Sequence, residues 1–293
     1  MFSITTHQQQ YTTYVLSDLF AQSQVEVVPE RGGILTQWRI QDQELLYLDH
    51  ERFTHPELTV RGGIPVLFPI CGNLPNDTYH YQGKPYTLKQ HGFARNLPWQ
   101  VVDQDSDGVA SLTVMLDSSQ ETLLYYPFEF TLALTYQLMG QTLTVRQHLT
   151  NRSEQPMPFV LGFHPYFAAP NKSQLKFGIP AKAFYDHLSQ TSRPFDGSFD
   201  LTQPEIDVAF KQPSSQSATV SDPSLNRQLT LKYGDPYSTL VFWTVLGKDF
   251  YCLEPWTAPR NALNTGEQLI TLSSGESFES QFSLTVSLLN PSA

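Results

Sequence analysis

The run Val160-Leu-Gly-Phe-His-Pro-Tyr-Phe-Ala-Ala-Pro170 holds one imidazole, His164, between Phe163 and Pro165. Ninety residues later Glu254 stands between Leu253 and Pro255-Trp256. A carboxyl in apolar surroundings has its charged form destabilised, which moves its pKa up toward general-base range. An imidazole already titrates near neutrality. Together they would be an acid and a base that need neither a metal nor a nucleotide. Two further segments combine turn residues with cations: Arg61 in VRGGIPVLFPICGN, and His91 and Arg95 in QHGFARNLPW.

Each of these residues also has a plain structural reading. A histidine in an apolar run commonly satisfies a core hydrogen bond, Arg61 before two glycines suits a salt-bridged turn, and His91 suits a loop bonded to backbone. His7, His50, His55, His80, His148 and His187 lie in polar contexts and are expected on the solvated surface. The chain has no Gly-x-Ser-x-Gly elbow, no phosphate-binding glycine loop and no His-Glu-x-x-His helix. Its two cysteines, Cys71 and Cys252, lack metal or redox spacing and read as buried free thiols.

The groups above must be positioned by strands, because the dominant periodicity is two. In Phe-Thr-Leu-Ala-Leu-Thr-Tyr-Gln-Leu, residues Leu132, Leu134, Tyr136 and Leu138 alternate with more polar neighbours, and after Met139-Gly140 the alternation resumes at Leu143, Val145 and Leu149. That pair reads as a tight hairpin. Phe278, Phe282, Leu284, Val286 and Leu288 repeat the pattern, and no segment shows helical periodicity over ten residues. Short strands punctuated by Gly, Pro, Asn and Asp predict an all-β fold, a sandwich or barrel. Patterning continues past the Ser/Pro/Gln-rich segment Lys211 to Ser224, so residues 1–293 are expected to form one domain.

Composition narrows the partners. The formal net charge is −10 and no Lys/Arg cluster could neutralise a run of phosphates, which argues against nucleic acid. Neither a signal-peptide pattern nor an apolar membrane span is present, and the sequons at Asn76, Asn151 and Asn171 stand without other support for export. The expectation is a cytoplasmic protein with a small-molecule partner and no membrane association; nothing fixes its oligomeric state.

Taken in order, Arg61-Gly-Gly-Ile-Pro, His91-Gly-Phe-Ala-Arg95, Phe-His164-Pro-Tyr-Phe and Leu-Glu254-Pro-Trp resemble the aldose 1-epimerase (mutarotase) family. The likeness is greatest to its hexose-6-phosphate mutarotase branch, the glucose-6-phosphate 1-epimerases, and runs from about Gln24 to Leu288. It implies a large galactose-mutarotase-like antiparallel β-sandwich, or supersandwich, with no metal and no organic cofactor. It implies catalytic roles for His164, as general acid on the ring oxygen, and Glu254, as base on the anomeric hydroxyl. Arg61 and His91 match substrate-binding positions, Arg95 an arginine near the anionic group, and Asp207 in EIDVAF an aspartate that bonds sugar hydroxyls.

Opening a hemiacetal requires loss of the C1 hydroxyl proton and protonation of the ring oxygen, so an acid and a base on opposite sides of the sugar suffice. Two other functions fit the same residues. A glycoside hydrolase would use Glu254 and Asp207 as its carboxylate pair but leaves His164 idle. A non-catalytic carbohydrate-binding protein would keep the cleft without the chemistry. Arg61 and Arg95 could clamp a phosphate bidentately, which leans the substrate toward a hexose 6-phosphate.

Overall fold

The computed structural model describes residues 1–289. Two eight-stranded antiparallel sheets dominate it. The first runs in the order Lys176–Gly178, Ser217–Asp222, Arg227–Tyr233, Ser277–Leu288, Thr142–Asn151, Phe130–Met139, Ala110–Asp117 and Gln100–Asp105. The second runs Thr191–Pro194, Ala183–Asp186, Glu205–Lys211, Thr239–Val245, Phe250–Trp256, Gly162–Phe163 and Val66–Leu67, with Tyr166–Ala168 also laddered onto Phe250–Trp256. A five-stranded sheet from Phe2 to Glu44 flanks them.

The alternation read from sequence is the alternation of burial. Phe130, Leu132, Leu134, Tyr136 and Leu138 are all buried while their neighbours are not. Their strand pairs with Thr142–Asn151 through Met139↔Thr142, closing a two-residue turn in which Gly140 takes φ +60°, where a glycine has no Cβ to clash. Aromatic contacts join the two large sheets: Phe163 meets Phe282 at 4.7 Å between ring centroids, and Phe177 meets Phe242 at 5.1 Å. Face-to-face sheets with interdigitated inner side chains make a sandwich rather than a barrel. Three α-helices occur among the described residues, the longest six residues. None is long and apolar enough to cross a membrane.

The second sheet has two differently employed faces. Ile206, Val208 and Phe210, with Leu240, Phe242 and Leu253, turn into the sandwich core. Residues one step along each strand point the other way. Antiparallel register then sets Asp207 beside Trp243, Trp243 beside Cys252, and Cys252 beside Tyr166. Glu254 follows two residues on, and this outward face is the floor of a cavity.

Candidate active site

The cavity has a volume of about 400 Å³, and its lining includes His164, Glu254, His91, Arg61, Arg95 and Asp207. All six residues singled out from sequence are thus gathered in one place. A larger recess of about 660 Å³ lies under the hairpin formed by Ala183–Asp186 and Thr191–Pro194, sharing Glu205 and Asp207 with the cavity, but its wall holds neither a histidine nor Glu254. The residues singled out for chemistry belong to the smaller space.

His164 follows the short strand Gly162–Phe163, and its backbone N–H donates to Pro65 O at 3.1 Å. The ring stacks on Tyr166, 4.6 Å between centroids and 10° from parallel, while Trp243 and His91 meet it edge-on. Its direction is fixed by packing on several sides. Glu254 lies on Phe250–Trp256, a strand buried at all seven positions, and its Oε2 accepts from Trp256 Nε1 at 3.2 Å. His164 Nε2 stands 3.4 Å from Glu254 Oε1. The two are therefore side by side, not on opposite sides of a sugar as the sequence reading had them. Side-by-side placement suits the chemistry, because the ring oxygen and the anomeric hydroxyl are both attached to C1.

Burial sets the protonation of the pair. Removal from water, reinforced by the Arg95 charge, pushes His164 down to about 3, offset only in part by its own backbone. Burial and then the Asp207 charge push Glu254 well above the ordinary carboxylate range. At neutral pH the site thus holds a neutral imidazole beside a carboxyl that is reluctant to ionise.

His91 occupies a strained position. It is a non-glycine at φ +66°, followed by Gly92, where a Cβ would lie 2.2 Å from Phe68 O. Its backbone N–H donates to Gly72 O at 2.7 Å and its Nδ1 accepts from Gly72 N at 3.0 Å. That acceptance puts the proton of the neutral ring on Nε2, available as a donor to a ligand. Burial pushes His91 well below the usual histidine range.

These shifts fix a pH dependence of stability. Below about pH 6.5 the unfolded chain protonates both imidazoles, whereas the folded chain keeps His91 and His164 neutral to much lower pH. The unfolded state binds more protons in that window, so stability falls as pH falls from 6.5. Glu254 acts in the opposite sense, since its raised folded pKa favours the native state as pH drops toward 4.5. His187, lowered to about 4, adds to the histidine side, so the net direction is a loss of stability as pH falls below 6.5. Calorimetry should show Tm falling over that range, and His91→Asn should flatten the slope. An unchanged slope in the variant contradicts the assignment.

The cationic rim comes from two loops. The segment from Asp49 to Arg61 is tied down by buried Arg31, whose guanidinium donates to the carbonyls of Arg52, Phe53, His55, Pro56 and Leu58. After it, Gly63 at φ +61° packs where a Cβ would come within 2.3 Å of Leu35 O, which seats the chain and leaves Arg61 exposed at the rim. Arg31→Ala removes all of these bonds at once. It should lower Tm and make the 49–61 segment the first site of proteolysis, and an unchanged cleavage pattern would show that other contacts hold it.

Arg61 is not the salt-bridged turn residue that its context allowed. Among the described residues neither Arg61 nor Arg95 has a carboxylate within 4.0 Å. Arg95, half-buried, donates from Nη2 to Gln90 O at 2.7 Å, and its Nε has no partner. Arg52 and Arg260 also line the cavity, so four arginines meet there in a chain of net charge −10.

With this geometry in place, comparison with known proteins is direct. The sequence model of the family described as Aldose 1-epimerase matches residues 20–285. The chain belongs to the aldose 1-epimerase family. It is 45% identical to the Slr1438 protein of Synechocystis sp. PCC 6803, whose crystal structure superposes with a TM-score of 0.94 over 98% of this chain and all of that one. It is 26% identical over 279 residues to a Cenchrus ciliaris protein named "Putative glucose-6-phosphate 1-epimerase", covering 87% of this chain and 79% of that one. The galactose 1-epimerase of Lactobacillus acidophilus NCFM, 15% identical, shares the fold with a TM-score of 0.77 over 99% of both chains. The galactose-mutarotase-like sandwich expected from the motifs is the fold observed.

Within this epimerase fold, several lining residues went unnoticed in sequence. Arg260 bonds both oxygens of Asp207, at 2.8 and 2.7 Å, so the carboxylate reaches the cavity already held by a cation. Its one signal was position, six residues after Glu254. Trp243, whose Nε1 donates to Glu205 at 2.7 Å, and Trp256 gave no polar signal. His187 corrects an expectation: it is half-buried, with Nε2 unpartnered, because its backbone N–H bonds Asp207 O beside the cavity strand, and burial lowers it to about 4. The remaining five histidines are exposed, and Cys71 and Cys252 are buried free thiols.

Proposed function

We propose that this family member is a mutarotase that interconverts the α and β anomers of an aldohexose, with a hexose 6-phosphate as its preferred substrate. The observation that carries the reading is the buried His164–Glu254 pair, 3.4 Å apart on the cavity floor. Glu254 takes the proton of the anomeric hydroxyl, and His164 delivers one to the ring oxygen. The C1–O5 bond opens to the aldehyde, rotation about C1–C2 presents the other face, and the steps reverse. Ring closure regenerates the pair: His164 takes the proton back from O5 and Glu254 returns its proton to O1, so no net proton enters or leaves per turnover.

The pair therefore works with a single proton. The pair becomes productive when its proton sits on His164 and Glu254 is ionised, and the apparent pKa values belong to the pair. Arg95 and Arg260 favour the ionised carboxylate. His91 and Asp207 are assigned to sugar hydroxyls, and Arg61 and Arg95 to the phosphate. Support for the phosphate comes from the two carboxylate-free arginines and from the name carried by the Cenchrus relative.

Anomer exchange tests this reading. Dissolved α-glucose 6-phosphate and α-glucose should both equilibrate faster with protein than without it, followed by polarimetry or one-dimensional exchange NMR. A carbohydrate-binding protein without catalysis would bind sugar and leave the exchange rate at its buffer value.

A further inference from the structure

Beside the acid-base pair lies a third group that the reaction does not use. Cys252 precedes Glu254 by two residues on Phe250–Trp256, so the two side chains leave the same face of the strand. Across the ladder it pairs with Tyr166, whose ring covers His164. One donor atom each from His164, Cys252 and Glu254 lie within 4.8 Å of one another, and all three residues are buried. His164 Nδ1 has no hydrogen-bond partner, and Cys252 is a buried free thiol.

We propose that His164, Cys252 and Glu254 form a binding site for a thiophilic divalent cation, for which Zn²⁺ is the probe, and that its occupation switches the epimerase site off. Inhibition rests on the function proposed above; metal binding does not. The set is one nitrogen, one sulfur and one carboxylate oxygen, a donor combination of the kind zinc takes with a fourth position open to water. Tetrahedral bonds of about 2.0 to 2.2 Å put nitrogen and oxygen ligands roughly 3.4 Å apart, and His164 Nε2 and Glu254 Oε1 stand at 3.4 Å. Sulfur at a bond length of about 2.3 Å would sit roughly 3.6 Å from the other two donors, and one donor atom from each of the three residues already lies within 4.8 Å of the others.

Charge also balances. Binding displaces the thiol proton to solvent, together with the carboxyl proton when present, and the thiolate and carboxylate then neutralise the dication. Metal-bound histidines ordinarily donate their second nitrogen to a carboxylate or carbonyl. His164 Nδ1 has no such acceptor, so the site should be weak enough for a chelator to clear. Occupation would take both the proposed base and the proposed acid out of action.

Titration of EDTA-treated, dialysed protein with Co²⁺ reads the site without any activity measurement. The expected result is one equivalent bound with a thiolate-to-cobalt charge-transfer band in the near ultraviolet, lost in Cys252→Ser and Cys252→Ala and kept in Cys71→Ser. Saturating Zn²⁺ should slow anomer exchange at least tenfold, EDTA should restore it, and Cys252→Ser should keep its basal rate while needing at least tenfold more Zn²⁺. X-ray absorption of the zinc-loaded wild type supplies a readout free of variants, and should show one sulfur at about 2.3 Å. Absence of the band, its survival in both Cys252 variants, or a shell of nitrogen and oxygen alone overturns the proposal. A band in a protein that accelerates no sugar would leave the metal site standing and remove the mutarotase.

Discussion

Replacing Glu254 with glutamine should lower kcat for anomer exchange by about 10² or more, the usual contribution of one positioned acid or base. The substitution preserves size and can retain the contact from Trp256 Nε1, so the lost rate reports the proton acceptor rather than collapse of the strand. His164→Asn should cost a similar factor, with circular dichroism showing that the ring's place between Tyr166 and Trp243 has not been filled by unfolding. Because the two groups share one proton, the double variant should lose far less than the product of the single losses. KM should change little, since the interaction lost is made in the transition state. Turnover within a few-fold of wild type in either folded variant would remove that residue from the mechanism.

Arg95→Ala should erase most of the preference for glucose 6-phosphate over glucose. Charge-assisted hydrogen bonds contribute about 1.5 to 3 kcal/mol, or roughly 10- to 150-fold, and a half-buried guanidinium is little screened. The ratio of kcat/KM for the two sugars is the measurement to trust. Arg95 also depresses the pKa of His164, so its removal alters the proton transfer, but that effect falls on both sugars and cancels in the ratio. Arg61, exposed at the rim, should give a smaller loss that shrinks further with added salt. Equal reduction for both sugars would recast Arg95 as a support for Gln90 and the protein as a mutarotase of free hexose.

The sandwich and the membership of the site were legible in sequence because both are local properties. A period of two names the buried face of a strand such as Phe130–Met139 without reference to its partners. His164 and Glu254 stood out as polar groups in apolar runs, and that same context raises or lowers their pKa values in the fold. The four motifs in order were sufficient for the family.

What the sequence left open depends on which strands become neighbours. Periodicity assigns faces but not register, and the ladder joining residues 162–168, 205–211, 239–245 and 250–256 is what sets His164 beside Glu254 rather than across a sugar from it. The same register brings Cys252 within reach of both. Arg260 acquired its meaning only when its loop met Asp207, fifty-three positions earlier, and His187 lost its solvent for the same reason. Arg31 reads as an ordinary surface cation until the 49–61 loop folds over it and offers five carbonyls. Residue type and spacing named the groups able to exchange protons; distances between segments far apart in the chain, set by packing two sheets, decided which of them meet.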